Sequence, residues 1–243
     1  VLFARTDGTT PIDSIKKQIT RGQDNTVPFQ GKCNMCISKP KGLLIDDFDD
    51  GNDINLLGFK DGAFWYPDKP EIIDTFYIHQ PPENVLRGTG GSLKINFNVS
   101  DSNAFGGWLT TLNDGLHPTR GTSFNLANLN LDSLTFWVKA ENPDTYFEVA
   151  LKDSTHNCLD NNRPAPCQTD RKEIRSVGTS WKRVSIPISD LLRGPNGVRV
   201  DSTRLHEINF AFGYARFQEL RLQHQKNVRF EGTIYLDEIA FER

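Results

Sequence analysis

The sequence predicts an all-β sandwich preceded by a short N-terminal extension. Two observations carry this: from residue 42 onward apolar residues recur at every second position in short runs, and no long window of helical spacing separates those runs. A third is punctuation, since each run of about five to eight residues ends in Gly, Pro, Asn or Asp. Sheets with one wet and one buried face give this signature.

Residues 1–41 stand apart from that pattern. Thr10 as a cap, Pro11 at the first helical position, Asp13 three residues after the cap, and Ile12, Ile15 and Ile19 at spacings of three and four predict a short amphipathic helix over 10–19. Polar, irregular sequence follows, up to Cys33 and Cys36. The segment is too short to fold alone, so the expectation is a docking arm for the main domain or for other protein subunits.

Residues 42–243 form the main domain. Leu93, Ile95, Phe97 and Val99 alternate with Lys94, Asn96 and Asn98. Leu134, Phe136 and Val138 alternate with Thr135, Trp137 and Lys139; Phe147, Val149 and Leu151 oppose Tyr146, Glu148 and Lys152. Val184, Ile186 and Ile188 alternate with Arg183 and Ser185, and Ile208, Phe210 and Phe212 with Glu207, Asn209 and Ala211. The rule predicts roughly nine strands in a sandwich or barrel.

The composition, 37% hydrophobic with 16 Phe, is ample for a core. A formal net charge of −3 argues against a nucleic-acid partner. No run approaches the roughly 18 apolar residues of a membrane span. The chain starts at Val1, its single methionine is Met35, and its four cysteines are an even number. Together these predict an exported protein, extracellular, periplasmic or at the cell surface.

Cys158 and Cys167 bracket a polar loop, and a disulfide closing it would contribute roughly 2–3 kcal/mol. For Cys33 and Cys36 a small structural disulfide is the leading reading, with a redox pair or half of a zinc site as alternatives. The sequence carries no G-x-S-x-G, H-E-x-x-H or phosphate-loop motif, and its five histidines lack metal-ligand spacing. Glu148 and Asp153 read as surface residues rather than a catalytic pair. The expectation is that the chain is not an enzyme. One sequon, Asn98-Val99-Ser100, is of a kind that chance supplies easily.

Four stretches carry a family resemblance. Leu43-Leu44-Ile45-Asp46-Asp47-Phe48-Asp49-Asp50-Gly51 resembles the opening strand of galactose-binding-like jelly rolls. Trp181-Lys182-Arg183-Val184-Ser185-Ile186-Pro187 resembles their W-K-x-hydrophobic-x-I-P strand, and Leu205-His206-Glu207-Ile208-Asn209-Phe210-Ala211-Phe212 their penultimate strand. Gly232-Thr233-Ile234-Tyr235-Leu236-Asp237-Glu238-Ile239 is similar to their closing strand. In order and spacing these resemble carbohydrate-binding modules of family 11 and neighbouring families over about residues 43–242, while residues 1–41 have no counterpart. The resemblance implies an all-β jelly-roll β-sandwich that binds a polysaccharide or glycan.

It also implies a structural calcium ion shared by the opening acidic stretch and the closing strand, with Asp47, Asp49 and Asp237 as ligands. Strict alternation puts Asp237 on the side of Tyr235, Ile239 and Phe241, and Asp47 on that of Leu43 and Ile45. The competing reading is a solvated acidic turn from Asp49 to Asp53.

Sugar binders stack pyranose rings on aromatic faces and hydrogen-bond the hydroxyls. Candidates are Trp65 and Tyr66 in a loop-like stretch, Trp108 after Phe105-Gly106-Gly107, Arg193 after the 181–192 motif, and Tyr214 with Arg216 beyond the penultimate strand. For Trp108, Trp137 and Trp181 core packing is the competing role. The family's tyrosine on the penultimate strand is Phe212 here, its preceding acid is replaced by His206 or Glu207, and its arginine-rich turn is reduced to Arg193. Those departures keep a rival reading open, an accessory subunit of a larger extracytoplasmic complex with residues 1–41 as its docking arm.

Overall fold

The computed structural model describes residues 42–66, 72–99, 104–112, 124–153, 158–160, 163–165, 171–193, 199–213 and 230–243. The helix expected over 10–19, the docking arm, Cys33, Cys36, Cys167, Tyr214 and Arg216 lie outside these residues.

Thirteen strands are described: β1 (Gly42–Asp46), β2 (Asp61–Tyr66), β3 (Ile73–Ile78), β4 (Ser92–Asn98), β5 (Phe105–Thr111), β6 (Ser133–Ala140), β7 (Phe147–Asp153), β8 (Cys158–Asp160), β9 (Arg163–Ala165), β10 (Lys172–Ile174), β11 (Lys182–Pro187), β12 (Leu205–Phe212) and β13 (Glu231–Glu242). The four-residue helix α1 (Ile188–Leu191) follows β11. One sheet runs β11-β6-β13-β4-β3 with β1 also on β13; the second runs β10-β7-β12-β5-β2. All neighbouring strands in the two sheets pair antiparallel. The first and last strands are adjacent, Leu43 opposite Phe241 and Leu44 opposite Ala240. No described helix is long and apolar enough to cross a membrane.

The alternation read from the sequence places the core. Leu93, Ile95 and Phe97 of β4 and Leu134, Phe136 and Val138 of β6 meet Phe147, Val149 and Leu151 of β7 and Ile208, Phe210 and Phe212 of β12. Aromatic rings bridge the sheets: Phe97 stacks on Phe212 at 4.3 Å and Phe136 meets Phe210 edge-on at 5.2 Å. Such pairs contribute about 0.5–1.5 kcal/mol beyond the area they bury.

Three departures from strict alternation have local causes. Ile188 does not continue β11; the chain turns at Pro187 into α1, and Ile188 N donates to Asp132 O at 2.6 Å. Residues 64–66, expected in a loop, belong to strand β2. On β13 the register slips between Asp237 and Ala240, with Glu238 at φ +44°. This bulge moves the core positions from Ile234 and Leu236 to Ile239 and Phe241, so the parity that grouped Asp237 with Ile239 does not hold.

Candidate functional site

The β2 edge of the second sheet has an aromatic on each face. Phe64 pairs with Gly107 and Trp65 with Gly106 on β5. A Cβ on Gly106 would meet Ile72 and Ile73 of the core, whereas one on Gly107 would lie 2.8 Å from Phe64 Cζ. The Phe64 ring therefore covers Gly107 on the outer face, beside half-buried Leu109 and Thr111. Trp65 takes the opposite side at the sheet margin, where it is 37% exposed. Tyr66 closes the same strand.

Toward the sheet centre the outer face becomes polar. Lys152 Nζ ion-pairs with Glu207 Oε1, which also accepts from Asn209 Nδ2 at 2.8 Å; His206 Nε2 lies 3.3 Å from Glu207 Oε2. Burial pushes the Glu207 carboxyl up, but the charge and hydrogen bond of Lys152, with Asn209 and His206, bring it below the usual carboxylate value. Glu207 is thus an anion that orients the Lys152 ammonium along the face. Sequence reasoning passed over Phe64, which it placed in a loop, and over Lys152 and Asn209, whose outward parity on predicted strands was a usable signal.

Two expectations are corrected by burial. Trp108 is 0% exposed, inward-facing on β5 against Phe48 at 5.7 Å and Phe210 at 5.8 Å, so it packs the core rather than a ligand. Glu148 and Asp153, read as surface residues, are buried, and Asp153 Oδ2 accepts from Asp201 N at 2.7 Å. Arg193 is exposed just beyond α1, bridged to Arg199. Cys158 opens β8 opposite Ala165 of β9.

Between the sheets lies a carboxyl pair that alternation did not single out. Asp46 ends β1, Asp61 begins β2, and both are buried. Asp46 Oδ1 accepts from Phe48 N at 2.8 Å, and Asp61 Oδ1 from Asn55 Nδ2 at 3.3 Å. Asn55 Nδ2 also reaches Thr110 Oγ1 at 2.8 Å. Burial raises Asp46 to about 6, and burial with the bond from Asp46 raises Asp61 to about 9, so the pair holds one proton at neutral pH.

At the β1–β13 junction the structure brings Asp49 and Asp237 together. Asp49 Oδ1 accepts from Gly91 N at 2.7 Å. Asp237 Oδ2 accepts from Ser92 Oγ and Oδ1 from Glu238 N, both at 2.7 Å. Burial pushes Asp237 up to about 8, aided by the charges of Glu238 and Asp49 and opposed by the two hydrogen bonds. Asp47 Oδ1 lies 3.4 Å from Asp49 N, turned toward its own loop. Calcium needs six to eight oxygen ligands. Among the described residues no group of three or more metal-ligating side chains converges here, and a guanidinium, that of Arg87, is paired with Glu238, the residue after Asp237. This donor set does not fit the ion.

Residues 73–243 match the family described as Carbohydrate binding domain 30. No curated protein sequence matches the chain. Among solved structures, the family 11 carbohydrate-binding module of a cellulosomal cellulase of Clostridium thermocellum is 15% identical, with a TM-score of 0.52 over 84% of this chain and 96% of that one. The family 11 module from Clostridium thermocellum in complex with a β-1,3-1,4-mixed-linked tetrasaccharide is also 15% identical, with a TM-score of 0.52 over 85% of this chain and 100% of that one. A family 30 carbohydrate-binding module is 14% identical, with a TM-score of 0.46 over 85% of each chain. At such identities the likeness is one of fold, the jelly-roll β-sandwich that the sequence motifs imply.

Proposed function

The chain belongs to the family described as Carbohydrate binding domain 30, and from that membership we propose that it binds a polysaccharide or glycan, without catalysis, in an exported or cell-surface system. The family match carries the proposal, because residues 73–243 run from β3 to β13 and include strands of both sheets. The site is the outer face of the second sheet. Phe64, at its β2 edge, offers apolar surface to the C–H face of a sugar, Lys152, oriented by Glu207, offers a hydrogen-bond donor, and Trp65 lines the margin of the same edge. Tyr66 and Arg193 are further candidate contacts.

A titration of glycans, beginning with β-1,3-1,4-mixed-linked oligosaccharides, tests this by calorimetry and tryptophan fluorescence. Saturable binding is expected, and Trp65→Ala should weaken it by about tenfold, or ~1.4 kcal/mol. Because Trp65 is 37% exposed and most of its ring is covered, Trp65→Ala should also lower the unfolding midpoint, and binding is compared at temperatures well below both midpoints. Absence of binding to every glycan would sink the proposal.

The second reading, an accessory subunit of an extracytoplasmic complex, has one observation in its favour. Glu207 and Asn209, at the centre of the outer face, are 5% and 2% exposed and bonded to each other, so they are not open to a sugar. Removing residues 1–41 should spare glycan binding under the first reading and abolish assembly under the second.

A further inference from the structure

At the junction of the first and last strands we propose that the Arg87 guanidinium supplies the cation, so that this end of the sandwich is closed by a protein charge and not by a metal ion. The geometry begins with Phe48, just beyond β1, at φ +53°. It turns the chain so that Asp49 reaches Gly91 N. That approach needs glycine: a Cβ on Gly90 would lie 2.0 Å from Asp49 Oδ1, and one on Gly91 2.0 Å from Phe48 O. From the opposite side the β13 bulge presents Asp237 to Ser92 and swings Glu238 out of the ladder.

Arg87 grips Glu238 with both arms of its fork, Nη1 to Oε1 at 2.5 Å and Nη2 to Oε2 at 2.8 Å. The partners are 151 positions apart in sequence and both have positive φ, +60° at Arg87 and +44° at Glu238. Non-glycine residues adopt that conformation only where the surroundings over-determine it. A paired, bidentate guanidinium is such a determinant, and its fixed fork matches a carboxylate as an ammonium does not. The same charge also interacts with that of Asp49, while burial favours the neutral form of Asp237. A divalent ion placed among them would stand against the guanidinium and would have to displace donors that already hold Asp49 and Asp237.

The test is thermal unfolding of the full chain in calcium chloride and in EDTA, with calorimetric titration of calcium. The wild-type midpoint should be the same in both, with no saturable calcium binding. Arg87→Met keeps the aliphatic stem but removes the charge; its midpoint should fall by roughly 5 °C or more, and calcium should restore part of the loss. Glu238→Gln, which breaks the ion pair from the other side, should also lower the midpoint, and covers the case in which Arg87→Met does not fold. A wild-type midpoint raised by calcium, with one ion bound, overturns the proposal. So does an unchanged midpoint in both variants.

Discussion

Replacing Trp108 with alanine should cost about 3–5 kcal/mol of folding stability and should do so whether or not a glycan is present. The indole is 0% exposed, on a strand flanked by β2 and β12, with Phe48 and Phe210 within 6 Å of it. Truncation leaves a cavity at the centre of the aromatic cluster that bridges the sheets, where the rigid strands can collapse little. Urea unfolding measures this directly: the midpoint should fall while the slope stays constant. Trp108→Phe should lose less, because most of the ring volume remains. Were Trp108 a ligand contact, alanine would remove binding at little cost in stability, the opposite pattern.

The second large effect is on pH dependence. Asp46 Oδ2 and Asp61 Oδ2 are buried without a hydrogen-bond donor. One proton placed between the carboxyls converts a repulsive pair into an acid–carboxylate hydrogen bond tying β1 to β2, and so one sheet to the other. Both folded-state values are raised, to about 6 for Asp46 and about 9 for Asp61, from 3.8. In that window the folded state binds more protons than the unfolded chain, so stability falls as pH rises. The contribution is complete below about pH 4 and is lost progressively until pH has passed about 9. Asp237, raised to about 8, acts in the same direction. Asp61→Asn keeps a neutral hydrogen-bonding group without the titration. It should flatten the profile and, at pH 8, be more stable than wild type by at least about 2 kcal/mol. Urea unfolding at pH 5, 7 and 9 provides the check, and a wild-type stability that climbs over that range contradicts it.

The parts of the fold legible in the sequence were those governed by a single physical rule. On β4, β6, β7 and β12 one face is core, so every second residue is apolar, and the residues the alternation named there all lie in the core. The rule weakens on β8, β9 and β10, three residues each, which are too short to display a period. On β12 both faces are buried, which alternation alone could not announce. The β13 bulge defeats the rule outright, since one extra residue reverses the parity after Asp237.

The sequence by itself determined the layered strands, the aromatic core and the kinship of the opening and closing motifs, because these depend on local periodicity and on residues near one another in the chain. Only the tertiary structure decided which of the crowded aspartates meet which partners: Asp46 with Asp61, Asp49 with Gly91, Asp237 with Ser92. It also decided that Trp108 is interior while Trp65 lies at a margin. Those outcomes hang on strand register, on a bulge and on backbone turns at positive φ. Each of these joins residues far apart in the chain and leaves no periodic trace in the order of amino acids.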